Sequence, residues 1–226
     1  MMFFWDWTFL LLVPVLIFAA WAQNRVRSTY QRYLRVPAAR GLTGAEAARR
    51  LLDAAGLSGV AIERIPGTLT DHYDPRARVL RLSEENWAGR SVAALGVACH
   101  EAGHALQHAA AYAPLQWRQA IWPLAGFGTN LAFPLFFLGF LFRIPALMDI
   151  GILAYGVAAL FTLVTLPVEF DASRRAVVLL QRHGLVTPQE RDDVKRVLDA
   201  AALTYVAAAL MAVAQLVRLL ILRDRR

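Results

Sequence analysis

The stretch Cys99-His100-Glu101-Ala102-Gly103-His104-Ala105-Leu106-Gln107-His108 holds three of the chain's five histidines and contains H-E-A-G-H, an instance of H-E-x-x-H. On a helix, His100 and His104 stand one turn apart on one face. Two imidazoles so placed can bind one Zn²⁺, with Glu101 beside the water that such an ion carries. Five histidines and seven glutamates in 226 residues give roughly 0.003 chance occurrences of the pattern. Residues 91–111 are Ala-rich, with high helix propensity, and Pro114 is expected to stop the helix.

A catalytic zinc needs a third protein ligand. His108 is the nearest candidate, but ligands at i, i+4 and i+8 climb about 12 Å along one helix. One ion with bonds of about 2 Å cannot reach all three. The three-histidine variant H-E-x-x-H-x-x-G-x-x-H is excluded as well, because Gln107 and Ala110 occupy its Gly and final His positions. His108 is therefore read as a structural hydrogen-bonding residue, and the third ligand must come from elsewhere.

Upstream, residues 43–114 read as a soluble part. Thr43 can cap a helix ending near Gly56, with Leu51 and Leu52 inward and Glu46, Arg49, Arg50 and Asp53 toward solvent. Residues 60–65 form a short strand-like run. Residues 69–73 and 79–83 flank Asp74-Pro75-Arg76 and read as a small β-hairpin. Ser83 then introduces a helix at Glu84 and Glu85.

The composition is 58% hydrophobic, against about 45–50% for a soluble domain. The excess lies in four runs, expected as membrane spans over residues 3–22, 120–142, 146–168 and 200–222. The fold class is therefore a mainly α integral membrane protein of about four transmembrane helices plus a small α+β region, expected as one domain over residues 1–226. The first run ends in Ala20-Trp21-Ala22, which resembles a signal-peptide cleavage site. No basic residue precedes it, however, and Arg25, Arg27, Arg32 and Arg35 follow, an order that favours an uncleaved anchor with the next segment cytoplasmic. Four spans would then leave the C-terminus outside, against its basic residues Arg223, Arg225 and Arg226. Either the last helix does not fully cross or the charge signal is overridden.

The net charge of +7 is distributed beside apolar runs rather than in one block, which fits anionic lipid and argues against nucleic acid as a partner. Cys99 is the sole cysteine, so there is no internal disulfide and no cysteine-based zinc knuckle. It is read as a small apolar residue.

Between the third and fourth runs, residues 169–199 are charged. Glu169 is expected to open a helix reaching His183, which Gly184 ends. Thr187-Pro188-Gln189-Glu190 is a capping box opening the next, with no sequence break before the last span. Glu169 sits in Leu166-Pro167-Val168-Glu169-Phe170-Asp171-Ala172-Ser173-Arg174. An acidic residue at a membrane boundary is commonly just solvated or arginine-paired. Here two spans separate it from His104, which returns both to one membrane face.

Taken together, the chain resembles the YugP-type neutral zinc metallopeptidases of bacterial membranes, distantly similar to the HtpX and CAAX-prenyl endopeptidases. The matching residues are Leu69-Thr70-Asp71-His72-Tyr73-Asp74-Pro75-Arg76, Leu82-Ser83, Ser91 through His108, and Pro167-Val168-Glu169-Phe170-Asp171-Ala172-Ser173-Arg174-Arg175-Ala176. The resemblance implies a zincin-like (gluzincin) catalytic region in a membrane-bound zinc endopeptidase. His100, His104 and Glu169 would hold one Zn²⁺ per chain, and Glu101 would be the catalytic base. It also implies a multi-pass protein of the bacterial inner (plasma) membrane and defines no substrate beyond the general class of a peptide or membrane protein; the charge order after the first run puts the active site on the cytoplasmic side. His72 and Tyr73 are candidate oxyanion or substrate-binding residues; a plain turn with aromatic packing is the other reading of that segment.

In HtpX-like enzymes an Asp four residues after the ligand Glu steadies a zinc histidine. Ser173 stands there in this chain, and Asp171 lies nearly opposite Glu169 on a helix. The departure leaves a second reading, an inactive or catalytically weak membrane scaffold or adaptor that kept the peptidase fold. A third, a metal-dependent hydrolase of lipid or another non-peptide bond, would share every ligand.

Overall fold

The computed structural model describes residues 7–225. Residues 3–6 of the first apolar run, and Arg226 of the basic end, lie outside the described residues. A 3-10 turn, Trp7–Leu11, leads into α1 (Val13–Leu34). The chain continues through α2 (Gly44–Ala54), β1 (Ala61–Ile65), β2 (His72–Asp74), β3 (Val79–Ser83) and α3 (Glu84–Ala88). It ends with α4 (Val92–Ala109), α5 (Ala113–Phe142), α6 (Pro145–Arg182) and α7 (Pro188–Asp224). Among the described residues, four helices are long and apolar enough to cross a membrane: Trp7–Leu34, Ala113–Phe142, Pro145–Arg182 and Pro188–Asp224. The protein is mainly α-helical, with one small sheet.

Local signals account for the helix starts. Thr43 and Glu46 form a reciprocal capping box on α2, and Thr187 and Glu190 form another on α7. Each pair satisfies two amides that the first turn leaves without helical partners. Two boundaries differ from expectation. Pro114 does not merely stop α4; a turn through Ala111 (φ 50°) intervenes, and Pro114 lies in the first turn of α5, where its missing N–H costs nothing. Glu169 does not open a helix. It lies inside α6, which is continuous through Pro167 from the third apolar run to Arg182. A proline removes one helical hydrogen bond, and α6 carries enough residues on both sides to continue past it. At 38 residues, α6 greatly exceeds the roughly 20 that a bilayer requires.

The strands form one sheet in the order β1-β3-β2. The expected hairpin is present as the antiparallel β2–β3 pair, shorter on its first strand, with Tyr73 opposite Leu80. β1 pairs in parallel with the other edge of β3, Ile62 opposite Leu80. Asp71 secures the entry to β2: its carboxylate accepts from the Ser83 amide at 2.8 Å, the Ser83 hydroxyl and the Asn86 side-chain amide.

By contacts the chain divides into two compact units, one of them Asn24–Leu115 with Val168–Leu203, the other including Gln116–Pro167. In the second of these, Phe136, Met148, Leu219 and Leu222 form a buried cluster. In the first, α4 is buried on two sides. Val92, Leu95 and Cys99 join a cluster with Tyr30, Leu180 and Val194. Ala98, Ala102 and Ala105 pack against Leu52, Leu80 and Leu82 of α2 and β3. The spacings i, i+3, i+7 and i, i+4, i+7 mark two neighbouring helical stripes, about 90° apart around the axis.

Small residues let α6 come close to α4. A Cβ added at Gly103 would lie 2.6 Å from the Ala172 carbonyl oxygen and 3.1 Å from its Cα. Helix propensity alone favours Ala over Gly by about 0.5–1 kcal/mol, whereas overpacking costs about 1–3 kcal/mol. Gly103→Ala is therefore expected to lower the thermal unfolding midpoint in detergent. A raised midpoint would show that this crossing is not tight. Thr187→Ala, which removes only a cap, is expected to cost about 1 kcal/mol in the same assay.

Candidate metal centre

α4 supplies three of the polar groups at the centre. His100 and His104 project from successive turns, ring centroids 4.8 Å apart and nearly perpendicular. His100, Glu101 and His104 each offer a donor atom, and these lie within 4.8 Å of one another, a grouping that could hold a metal ion. α6 supplies the fourth. Glu169 Oε2 lies 3.3 Å from His100 Nε2 and 3.6 Å from His104 Nε2. Glu169 is 2% exposed and His104 8% exposed.

The spacing can be tested against zinc. Tetrahedral bonds of about 2.0–2.1 Å place neighbouring ligand atoms about 3.3–3.4 Å apart. The Glu169–histidine distances match this within a few tenths of an ångström, and two imidazoles with one carboxylate are a suitable donor set. Glu101 is engaged differently: its Oε2 accepts the Tyr73 backbone amide at 3.1 Å. Of the two carboxylates, Glu169 lies within that spacing of both imidazoles, while Glu101 is tied to the hairpin backbone.

Each histidine has a partner on its other ring nitrogen. His100 Nδ1 lies 3.0 Å from the Ser173 hydroxyl. His104 Nδ1 lies 3.0 Å from Gln107 Oε1. Gln107 is fully buried, and its Nε2 donates to the Val168 carbonyl at 2.8 Å and to Asp171 Oδ2 at 3.0 Å. Arg174 and Arg175 also donate to Asp171. Such outer partners orient ligating imidazoles and raise their basicity.

Electrostatics follow from burial among these groups. Burial pushes the Glu101 carboxyl above its ordinary range, against the opposing pull of His104 and His100. For His104, burial acts to lower the pKa, but the hydrogen bond to Glu169 and the nearby Glu101 charge outweigh it and the net direction is upward. Burial alone raises the Cys99 thiol.

The structure thus brings together His100, Glu101, His104, Glu169, Ser173 and Tyr73, with Asp171 joined through Gln107. Tyr73 Oη also lies 3.0 Å from His108 Nδ1, so His108 is a hydrogen-bonding residue of the hairpin contact. The exposed His72 has Nδ1 2.9 Å from the Thr70 carbonyl. Gln107 is the residue that the motif gave no reason to select. Its position three residues after His104, one turn along the same face, was the available signal.

Similarity to known proteins identifies the family. Residues 8–224 match the family described as "Putative neutral zinc metallopeptidase". The chain is 47% identical over 208 residues to "Putative membrane protease YugP" of Bacillus subtilis (strain 168), covering 92% of each chain. No solved structure matches. With the match running from the first described turn to the end of the last helix, the chain belongs to the family described as "Putative neutral zinc metallopeptidase".

Proposed function

We propose that the protein is a membrane-bound, zinc-dependent endopeptidase of the gluzincin type. One Zn²⁺ would be held by His100, His104 and Glu169, with Glu101 as general base. The observation that carries the reading is the approach of one Glu169 oxygen to Nε2 of both motif histidines. Zinc, when bound, supplies Lewis acidity that polarises a carbonyl and brings the pKa of water toward about 7.

The chain's own residues do the rest. The Tyr73 amide holds one oxygen of Glu101, which fixes the side chain and leaves the second oxygen to take a proton from the attacking water. The same carboxyl would then hand the proton to the leaving amine. β2 lies at the sheet edge beside Glu101, where an extended substrate can add as a strand. Tyr73 and His72 are the candidate donors to the developing oxyanion. The departure at Ser173 lends the scaffold alternative no support, because its hydroxyl occupies a bonding distance to His100.

The substrate class is a peptide or membrane protein, and the site is assigned to the cytoplasmic side of the bacterial plasma membrane. Arg25, Arg27, Arg32 and Arg35, following the first apolar run, support that side.

Purified protein is expected to carry one zinc, and casein cleavage is expected to stop on chelation and return with zinc. Glu101→Gln should keep zinc and lose at least 100-fold in kcat; Glu169→Ala should lose both zinc and activity. Normal zinc content in Glu169→Ala would remove Glu169 from the ligand set. Separately, an oxyanion role for Tyr73 predicts a kcat loss of about 10²–10³-fold in Tyr73→Phe. A loss confined to His72→Ala would transfer that role, and no loss in either would assign it to neither side chain.

A further inference from the structure

The geometry points to Gln107 as a positioning residue that sets the tautomer of His104, anchored in turn by Asp171. The inference rests on the zinc-peptidase reading and adds a determinant that lies outside the H-E-x-x-H pattern. A glutamine amide has one acceptor oxygen and an NH₂ group with two donors. The Gln107 nitrogen faces the Val168 carbonyl and Asp171 Oδ2, two groups able only to accept: the first is a backbone oxygen, and the second belongs to a carboxylate engaged by two arginines. Rotating the amide by half a turn would set Oε1 against both oxygens, in a fully buried place where no water could relieve the repulsion. The chemistry of the neighbours therefore fixes the amide's orientation.

With Oε1 directed at His104 Nδ1 over 3.0 Å, and able only to accept, Nδ1 must carry the proton. The neutral ring then presents an unprotonated Nε2 to the donor cluster, the form that a metal requires. His100 is treated differently. The Ser173 hydroxyl at its Nδ1 can donate or accept, and so holds the ring without selecting a tautomer. The two motif histidines are thus unequal: one has an imposed tautomer and the other an adaptable one. The alternative is that Gln107 merely fills and satisfies the contact between α4 and α6.

The two roles make opposite predictions for a pair of variants. Gln107→Met keeps the length and removes the acceptor. Gln107→Glu keeps an oxygen opposite Nδ1 while placing a second carboxyl beside Asp171. A filling role ranks Met above Glu in stability and leaves the zinc affinity of folded protein unchanged in both. The positioning role expects Gln107→Met to weaken zinc binding 10–100-fold in chelator competition. It also expects a shifted visible spectrum after cobalt substitution. Gln107→Glu should stay within a few-fold of wild type in affinity, whatever its melting temperature.

Equal affinities in both variants, or equal losses in both, would overturn the proposal. Should Gln107→Met fail to fold, Gln107→Ala, which also lacks the acceptor, takes its place: a 10–100-fold loss of zinc affinity beside a retaining Gln107→Glu supports the proposal, and unchanged affinity in Gln107→Ala or a loss in Gln107→Glu overturns it. Wild type and Glu169→Ala run alongside separate the two levels of the argument. Absent zinc binding in wild type, or intact binding in Glu169→Ala, defeats the ligand set; normal controls with unaffected Gln107 variants defeat only this inference.

Discussion

A missing Cβ at position 103 sets how near α6 can come to α4. Gly103 faces the backbone of Ala172, and any side chain there would lie within 2.6 Å of a carbonyl oxygen. The contacts that build the centre depend on that approach. Glu169 reaches both histidines, Ser173 reaches His100, and Gln107 reaches Val168 and Asp171, all across the same helix pair. A separation of one further ångström would take most of them out of bonding range. The second x of H-E-x-x-H, unspecified by zinc chemistry, is thus specified here by packing.

The sequence makes some of this legible and hides the rest, for physical reasons. The Thr187 capping box and the Thr43 cap can be read directly, because a cap is a contact between residues three apart; that Glu46 closes a second box with Thr43 comes from the structure. The burial of Leu51, Leu52 and Cys99 follows from helical periodicity and residue type. The parallel placement of β1 beside β3 is not legible, since it depends on a crossover whose register no short pattern encodes. Pro167 and the sudden appearance of charge suggest a helix boundary before Glu169, but a helix already under way tolerates the loss of one bond.

Asp171 shows where single-helix reasoning ends. Two residues from Glu169, it is turned about 200° around α6, which suggests that both cannot serve one site. They do not meet the same residue: Glu169 meets the histidines, while Asp171 meets Gln107, one turn farther along α4. The centre is a strip of contact between two helices. The pattern H-E-x-x-H names part of one side of that strip, and resemblance to a family supplies Glu169 on the other. The place of Gln107 one turn after His104 is visible in α4 alone, but its anchoring to Val168 and Asp171 emerges only when both helices are seen together.

The two-sided burial of α4 also explains its composition. Alanines on one stripe meet the sheet and α2, while Val92, Leu95 and Cys99 on the other enter the cluster with Tyr30, Leu180 and Val194. Cys99 is the chain's single thiol, fully buried and held protonated by its apolar surroundings. A thiol reagent can reach it only when that cluster parts, so its labelling rate is a clock for local opening beside His100. The protein therefore carries an intrinsic reporter of breathing one residue from its proposed chemistry, without an engineered label.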